Sequence, residues 1–505
     1  MGLRPRACLM LVLACLCACD REEQRTPPLK YRCYFPITTF DTHEAWQMSV
    51  SQVSQNIFAP LVSSHLDTRP QGLVAEDWRV DGTGRVWRFK IRPGLTFDSG
   101  APVSPEAVLR NFRRILWLTR KDGLPLNSLL PELSRWESPE DPLHSVRVEG
   151  DSVVFEFSRR PVNLLETLCQ PMYGIADPGC FDAQGRWKEP FCSSGSGQYR
   201  VASAAPGRIV LESRHLFPGS DAAPDSVEIL TPLHPGDDAL QAVRAGQGDL
   251  LFFVHSRLAP EMLEELRQRG LRMTDGPPVA MNLIQLNSDR PLFKGKALRQ
   301  SFRDFFLRSL AADPRFTSQA AVDASFIPKG AMGYRPFTVP ARPPLRKAAG
   351  RKVLVRFSEP KGQGVQRAVK DSLTRTLEAH GLEPEFYPNS SKMELRDYDV
   401  MRWTYGVFVN DPYADLRRIF MSDRGMALPV RSAALSRLIE QGEASADAGE
   451  RQRLAERVNA WLFDDARLVT YQHTGLLYIH RPEVDLSRVN LFLDPIEFRA
   501  LGWKP

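Results

Sequence analysis

The chain has 505 residues, with 66 Lys and Arg against 60 Asp and Glu, 43% hydrophobic residues, 40 Pro, 33 Gly and 8 Cys. That composition excludes disordered, collagen-like and coiled-coil chains and a small disulfide scaffold, and at about 100 to 200 residues per domain the length predicts about three structural units. The formal charge of +6 is small for such a length and includes Arg4 and Arg6; without a basic run carrying interleaved aromatics there is no nucleic-acid footprint.

Met1 to Arg6 is positively charged, and Ala7 to Ala18 is an apolar or thiol-bearing run that ends at Cys19 and Asp20. A bilayer span needs about 20 apolar residues, so this run predicts the core of an export signal rather than a transmembrane helix. Leu16-Cys17-Ala18-Cys19 resembles a bacterial lipobox, where the signal (residues 1–18) is cut away and the exposed cysteine, here Cys19, takes the lipid through its thiol. Val12-Leu13-Ala14-Cys15 is a weaker alternative cut site because its flank stays apolar, and Asp20 resembles an inner-membrane retention signal. Residues 19–30 are polar and charged without apolar periodicity and read as a tether. Cys33, Cys169, Cys180 and Cys192 would then lie in an oxidising compartment, where four thiols allow three pairings. Cys180 with Cys192 is the favoured bridge, closing a loop that holds Gly and Pro. No CxxC spacing occurs, which argues against a metal at these cysteines.

Strand and helix signals alternate irregularly from Tyr31 onward, predicting an α/β protein with mixed sheets. After the turn Asp81-Gly82-Thr83-Gly84, Trp87, Phe89 and Ile91 alternate with Arg88, Lys90 and Arg92, which is a strand with one buried and one wet face. Ser104 supplies an N-cap and Pro105 the first helical position, with Val103 and Val108 as a hydrophobic staple, so a helix is predicted from there to about Trp117. Val146 and Val148, the turn Glu149-Gly150-Asp151, and Val153, Phe155 and Phe157 form a hairpin. Lys352–Phe357, Val365–His380 closed by Gly381, and Glu383–Tyr387 make a βαβ-like unit. Gly362 and Gly364 invite a dinucleotide reading, which fails because the third glycine is absent and the spacing from the strand is long.

The segment from Gly72-Leu73-Val74-Ala75-Glu76-Asp77-Trp78 through Arg92-Pro93-Gly94-Leu95-Thr96-Phe97-Asp98-Ser99-Gly100-Ala101-Pro102-Val103-Ser104 resembles the signature of extracellular solute-binding protein family 5, the peptide, dipeptide and nickel binders of ABC importers. Asn56-Ile57-Phe58-Ala59-Pro60-Leu61-Val62, Gly195-Ser196-Gly197-Gln198-Tyr199 (with Gln198 where the family has proline), Asn287, Phe293, Ala297 to Phe302 and Ile327-Pro328 extend the resemblance along the chain. It implies a type II periplasmic-binding-protein fold with mixed sheets, two lobes that close about a hinge, and an extra subdomain. The expected division is residues 31–50, 195–275 and 481–505 for the first lobe, 51–194 for the inserted subdomain and 276–480 for the second lobe.

The resemblance further implies a monomer that holds an oligopeptide-like or related small solute and hands it to separate permease and ATPase subunits; with the tetrad ending at Cys19 and with Asp20, it is expected to sit lipid-anchored on the periplasmic side of the inner membrane, or on the cell surface of a host with one membrane. Sensing or envelope interaction without uptake is the alternative. Peptide binders of this kind pair the ligand backbone with a strand from each lobe. The first corresponds to Trp46, Gln47 and Met48, although Trp46, Val50 and Val53 equally fit the apolar stripe of a helix start. The second corresponds to Arg402, Trp403, Thr404 and Tyr405. Three residues after this tryptophan the family places an aspartate that neutralises the peptide ammonium, and here Gly406 stands there. Either Asp411 or Asp415 substitutes for it, or Asp411 caps a turn while Asp415 lies on a solvated helix face.

Catalytic signatures are absent. The nine histidines include no HExxH pair, so no metal or cofactor is expected. In Ser358-Glu359-Pro360-Lys361 the proline denies the helix that would bring lysine to serine. Neither Ser196 nor Ser358 lies in a GxSxG turn. The sequence reads as a binder and not an enzyme.

Overall fold

The computed structural model describes residues 27–504 apart from Tyr34, Trp46, 65–68, Gly123, 233–238, 254–257, Ala259, 347–349, 360–363, Ser390, 407–410, 422–429 and 492–495. The export signal, Cys19 and residues 20–26 lie outside the described residues. Strand β1 (Leu29–Arg32) begins inside the segment expected as a tether, because Leu29 and Tyr31 point into a core and fix the chain there. Helix α1 (Met48–Ile57) follows and buries Val53 and Ile57 in the same core.

The inserted part is built on strands β2 (Ala75–Val80) and β3 (Val86–Ile91), helix α2 (Pro105–Thr119), and strands β4 (Val146–Glu149) and β5 (Ser152–Glu156). The four strands form an antiparallel sheet in the order β2-β3-β5-β4. Alternation in β3 turns Phe89 and Ile91 inward as their spacing predicts. Ser104 caps α2 by accepting a hydrogen bond from the Ala107 amide (3.2 Å), and the staple residues Val103 and Val108 are both buried. Phe112 meets Phe155 edge-on at 4.9 Å, seating the helix on the sheet. This core runs from Ala59 to Ile175 with Phe217 added. It is narrower than the 51–194 expected, because α1 and the loop closed by the Cys180–Cys192 disulfide pack toward the first lobe, with Trp187 against Phe58 at 5.8 Å.

Strands β6 (Tyr199–Ala205), β7 (Arg208–Ser213), β8 (Ser226–Leu230) and β9 (Leu250–Phe253) complete the first lobe around β1. The long strand β10 (Arg272–Leu286) leads to helix α3 (Lys296–Ala311). Then come β11 (Arg351–Arg356), helix α4 (Val365–Ala379), β12 (Leu382–Tyr387) and β13 (Val400–Gly406). Helices α5 (Pro412–Met421), α6 (Ala433–Ala444) and α7 (Ala448–Asp465) precede β14 (Leu468–His480). The βαβ unit is present: β11 and β12 are parallel, and Gly381, at φ +79°, ends the helix between them.

All ten of these large-sheet strands join in the order β12-β11-β13-β10-β14-β9-β1-β8-β7-β6. Among the described residues, only β10 and β14 pass between the two ends. Along β10, Val279 belongs to the first-lobe core and Ile284 and Leu286 to the second; along β14, Tyr478 and Leu476 belong to the first and Tyr471 and Val469 to the second. At the passage the antiparallel register slips between Asp275, Pro278 and Ala280. The backbones of Gly276 and Gly475 nearly touch there: a Cβ on Gly475 would lie 2.1 Å from the Gly276 carbonyl oxygen. Beyond Gly475, Leu476 and Tyr478 are already buried among first-lobe residues.

Candidate functional site

Strand β13 is the second of the expected ligand strands. On one side it pairs with β10 along its whole length, from Val400 opposite Leu286 to Gly406 opposite Ala280. On the other side β11 pairs only with Val400 and Met401. From Arg402 to Thr404 that edge has no strand partner among the described residues, and the half of β13 from Arg402 to Gly406 is partly exposed while Val400 and Met401 are buried. An unpaired edge of this kind is a template for another extended backbone.

The side chains of this half-strand divide between two faces. Trp403 and Tyr405 share one, with ring centroids 6.3 Å apart, and the Arg356 guanidinium lies 5.0 Å from the Trp403 ring. The Trp403 indole nitrogen is buried without an acceptor among the described residues. On the other face, Asn282 of β10 organises a polar shelf. Its Oδ1 accepts hydrogen bonds from Thr404 (2.7 Å) and Arg402 (2.9 Å), and its Nδ2 donates to Thr474 of β14 (3.3 Å). Arg402 also donates through Nε to the Tyr471 hydroxyl at 3.4 Å. Thr474 is the neighbour of Gly475, so the shelf begins where the strands pass between lobes.

Gly406, at the position of the family's aspartate, has its carbonyl oxygen bonded by Arg418 of α5 at 3.2 Å. The two carboxylates considered as substitutes are both held by arginines. Asp411 accepts from the Tyr413 amide at 3.0 Å, capping the turn into α5, and its other oxygen is held by Arg451. Asp415 is buried and bonds Arg418 at 2.9 Å. The expectation that Asp415 lies on a solvated face is corrected: α5 is packed nearly all round, with its residues from Pro412 to Arg417 buried.

Of the other expected strand, the described residues Gln47 and Met48 lie at a helix start and not in a strand. Asp41 accepts from the His43 amide at 2.8 Å, a short 3₁₀ turn occupies Thr42–Glu44, and Met48 opens α1. Gln47 precedes the helix and its amide donates to Glu44 at 3.0 Å. Val50, Val53 and Ile57 form a buried stripe, and that burial selects helix over strand. Trp46 lies outside the described residues.

A second meeting of units was invisible in the sequence. Arg159 of the inserted part reaches Glu443 of α6 at 3.1 Å, and Glu443 is gripped by Arg417 of α5 through two bonds of 2.6 Å. Arg451 of α7 donates to the Asn163 side chain at 3.2 Å. Between them lies a small cavity of about 40 Å³ lined by Leu126, Leu129 and Val162 from the inserted part and by Tyr413 and Glu443 from the second lobe. Burial raises the Glu166 carboxyl above its ordinary value, and the negative charge of Asp411 adds to the rise. These partners are 284 and 288 positions apart, and no local pattern marks them. No group of His, Cys, Asp and Glu suited to a metal occurs among the described residues.

Residues 69–425 match the family model described as bacterial extracellular solute-binding proteins, family 5 Middle. The chain belongs to this family. A curated relative, the probable D,D-dipeptide-binding periplasmic protein DdpA of Escherichia coli strain K12, is 21% identical over 463 residues, covering 86% of this chain and 85% of its own. Among solved structures, the E. coli murein tripeptide binding protein MppA superposes with a TM-score of 0.77 at 14% identity, covering 94% of this chain and 98% of its own. Haemophilus influenzae OppA, in complex with RPPGFSPFR, gives 0.76 at 15% identity, covering 95% and 100%. The type II periplasmic-binding-protein fold is thus shown, and the relatives are periplasmic or extracellular binding proteins rather than enzymes. A solute-binding role in ABC import follows from membership of family 5.

Proposed function

We propose that this family 5 protein captures an oligopeptide-like or related small solute between its lobes and delivers it to a membrane permease, working as a monomer lipid-anchored through Cys19 on the periplasmic side of the inner membrane. The observation that carries the reading is the edge of β13 at Arg402, Trp403 and Thr404, which has no strand partner among the described residues and is set beside the two strands that pass between lobes. A ligand backbone that continues the sheet there makes main-chain hydrogen bonds whatever its side chains, and Trp403 and Tyr405 offer aromatic surface beside it. Closing the lobes over it supplies contacts that only the closed form has, so ligand shifts the population toward closure. The names of DdpA and the OppA complex support a peptide-like solute. For the anchor, the supporting feature is the tetrad ending at Cys19.

The test is a thermal-shift screen of the purified mature chain against peptides and peptide-like solutes, with uptake of each hit measured in the native host with and without the gene. A stabilising hit whose uptake is lost on deletion supports the reading; hits whose uptake is unaffected refute the transport role. Cys19→Ala should move the protein from the membrane fraction to the soluble fraction.

A further inference from the structure

We propose that the second lobe docks on an anionic phospholipid bilayer through the irregular segment from Pro328 to Arg346, an inference that rests on the membrane-anchored reading above. Between Ala324 and Ser358 the chain has eight Lys and Arg and no Asp or Glu, against a formal charge of +6 for all 505 residues. The rest of the chain is therefore slightly acidic, and the positive charge is concentrated in one stretch.

That stretch is laid out as a ribbon with two unlike sides. Residues 335–346 form neither helix nor strand, and Pro336, Pro340, Pro343 and Pro344 supply no N–H for a sheet. Phe337, Val339 and Leu345 pack inward against the second-lobe core, where Phe337 stacks on Phe463 of α7 at 4.3 Å. The Ser301 hydroxyl of α3 donates to the Pro343 carbonyl (2.7 Å) and accepts from the Leu345 amide (3.1 Å), which fixes the ribbon on the lobe. Outward, Lys329, Arg335, Arg342 and Arg346 are exposed. Arg335 lies 5.7 Å from the Phe337 ring and Arg346 donates to the Ala379 carbonyl at 3.4 Å, so these contacts leave both charges without neutralising them.

Adjoining acids offset only part of this. Asp304 is buried and pairs with Arg342 at 3.3 Å, but Arg303 already holds it at 2.6 Å. Asp323 accepts from the Tyr334 hydroxyl at 3.0 Å. Glu383 stands opposite Lys352 in the β11–β12 pair, and Glu378, next to Ala379, is exposed; each offsets one cation.

The occupant follows from where the chain is held. Cys19 precedes Leu29 by ten residues, which span at most about 35 Å. An anchored chain therefore stays beside the headgroups, and a cationic surface on it meets anionic lipid at high effective concentration. A few exposed cations give a weak, salt-dependent attraction that orients a chain the lipid already holds. The tether leaves from β1 of the first lobe and the ribbon lies on the second, so docking lays both lobes along the bilayer.

The experiment uses the mature chain carrying Cys19→Ala, which has no lipid, sedimented at low salt with vesicles of phosphatidylethanolamine and phosphatidylglycerol or of phosphatidylcholine alone. Binding to the anionic vesicles should exceed binding to the neutral ones about tenfold or more, and disappear in about 0.5 M salt. Arg335→Gln with Arg346→Gln should cut anionic binding about tenfold. Arg79→Gln with Arg135→Gln, exposed arginines of the inserted part, removes the same charge and should cut it no more than about twofold. Circular dichroism checks folding; Lys329→Gln alone, with an expected loss of about threefold or more, decides the matter if the double variant does not fold. Equal binding to both kinds of vesicle, binding to neither, or an equal loss in the control overturns the docking surface. Retention on isolated cell-wall sacculi without vesicle binding overturns it too, and assigns the ribbon to a wall polymer. All of these leave the receptor and anchor readings standing, since the ligand screen and the Cys19→Ala fractionation test those separately.

Discussion

The contact between Arg159 and Glu443 is the most direct handle on how the inserted part and the second lobe hold together. Glu443 serves two arginines of different kinds. Its side chain is 9% exposed and accepts two 2.6 Å bonds from Arg417, itself 10% exposed and on the neighbouring helix. Arg159 approaches from the inserted part at 3.1 Å and is 32% exposed. Glu443→Ala leaves the Arg417 guanidinium buried without its counter-charge, a loss of about 3–5 kcal/mol. Arg159→Ala removes only a partly solvated pair, about 0.2–1 kcal/mol, since Arg417 still neutralises Glu443. The Arg159 pair exists only while the two units touch, so its loss should appear in closure: about 0.5–1 kcal/mol weakens apparent affinity about two- to fivefold. Urea denaturation of both variants and calorimetry with a hit from the screen separate these effects. Glu443→Ala should unfold at markedly lower urea, while Arg159→Ala should keep its midpoint and lose affinity. A midpoint shift for Arg159→Ala as large as that for Glu443→Ala, or unchanged affinity, refutes this division of roles.

Gly475→Ala should destabilise the protein by about 2–3 kcal/mol, because its Cβ would meet the Gly276 carbonyl oxygen at 2.1 Å on a strand that cannot yield without moving both lobes. Gly364→Ala, whose added Cβ meets nothing within 4 Å, is the control, and equal urea midpoints for the two would reject the close-crossing account. Glu166→Gln should stabilise at pH 7. Burial raises this carboxyl in the folded state, so the folded protein keeps a proton that the unfolded chain releases near pH 4.3; stability then falls as pH rises from there through the folded value. The gain from glutamine should be full above the folded value and vanish below about pH 4, as denaturation at both pH values would show. Trp403→Ala should weaken ligand binding while the protein stays folded, measured by calorimetry beside circular dichroism; equal affinity rejects the assignment of this residue to the site.

Local chemistry was legible wherever one short segment decides the outcome. The alternation around Phe89 is enforced by a single buried face, and the Ser104 cap with Val103 and Val108 lies within five positions of one helix start. The Cys180–Cys192 pairing belongs to the same class, since its sequence separation is 12 and the intervening Phe181 and Trp187 bridge each other across the loop. At Gln47 and Met48 the sequence left the choice open because a short apolar run fits a strand or a helix start equally. The choice was made by where Val53 and Ile57 find a core, and that core is assembled from β1, β8 and β14.

The site shows the same limit at longer range. Thr404 and Arg402 were visible as residues of a candidate strand, but their common acceptor, Asn282, lies 122 and 120 positions away. It meets them because β10 pairs with β13 in a register that sets Asn282 opposite Thr404. A shift of that register by one residue would turn Asn282 to the apolar face that Met281 and Leu283 now fill, and leave a buried amide without partners. The apolar residues on either side therefore hold the register, and the register makes the polar shelf. This is why motif spacing within β13 located the strand yet said nothing of what orients Arg402. The same reasoning accounts for Asp415: the helical period places it on α5, but only the packing of α5 among β10, α6 and α7 decides that no face of that turn reaches solvent.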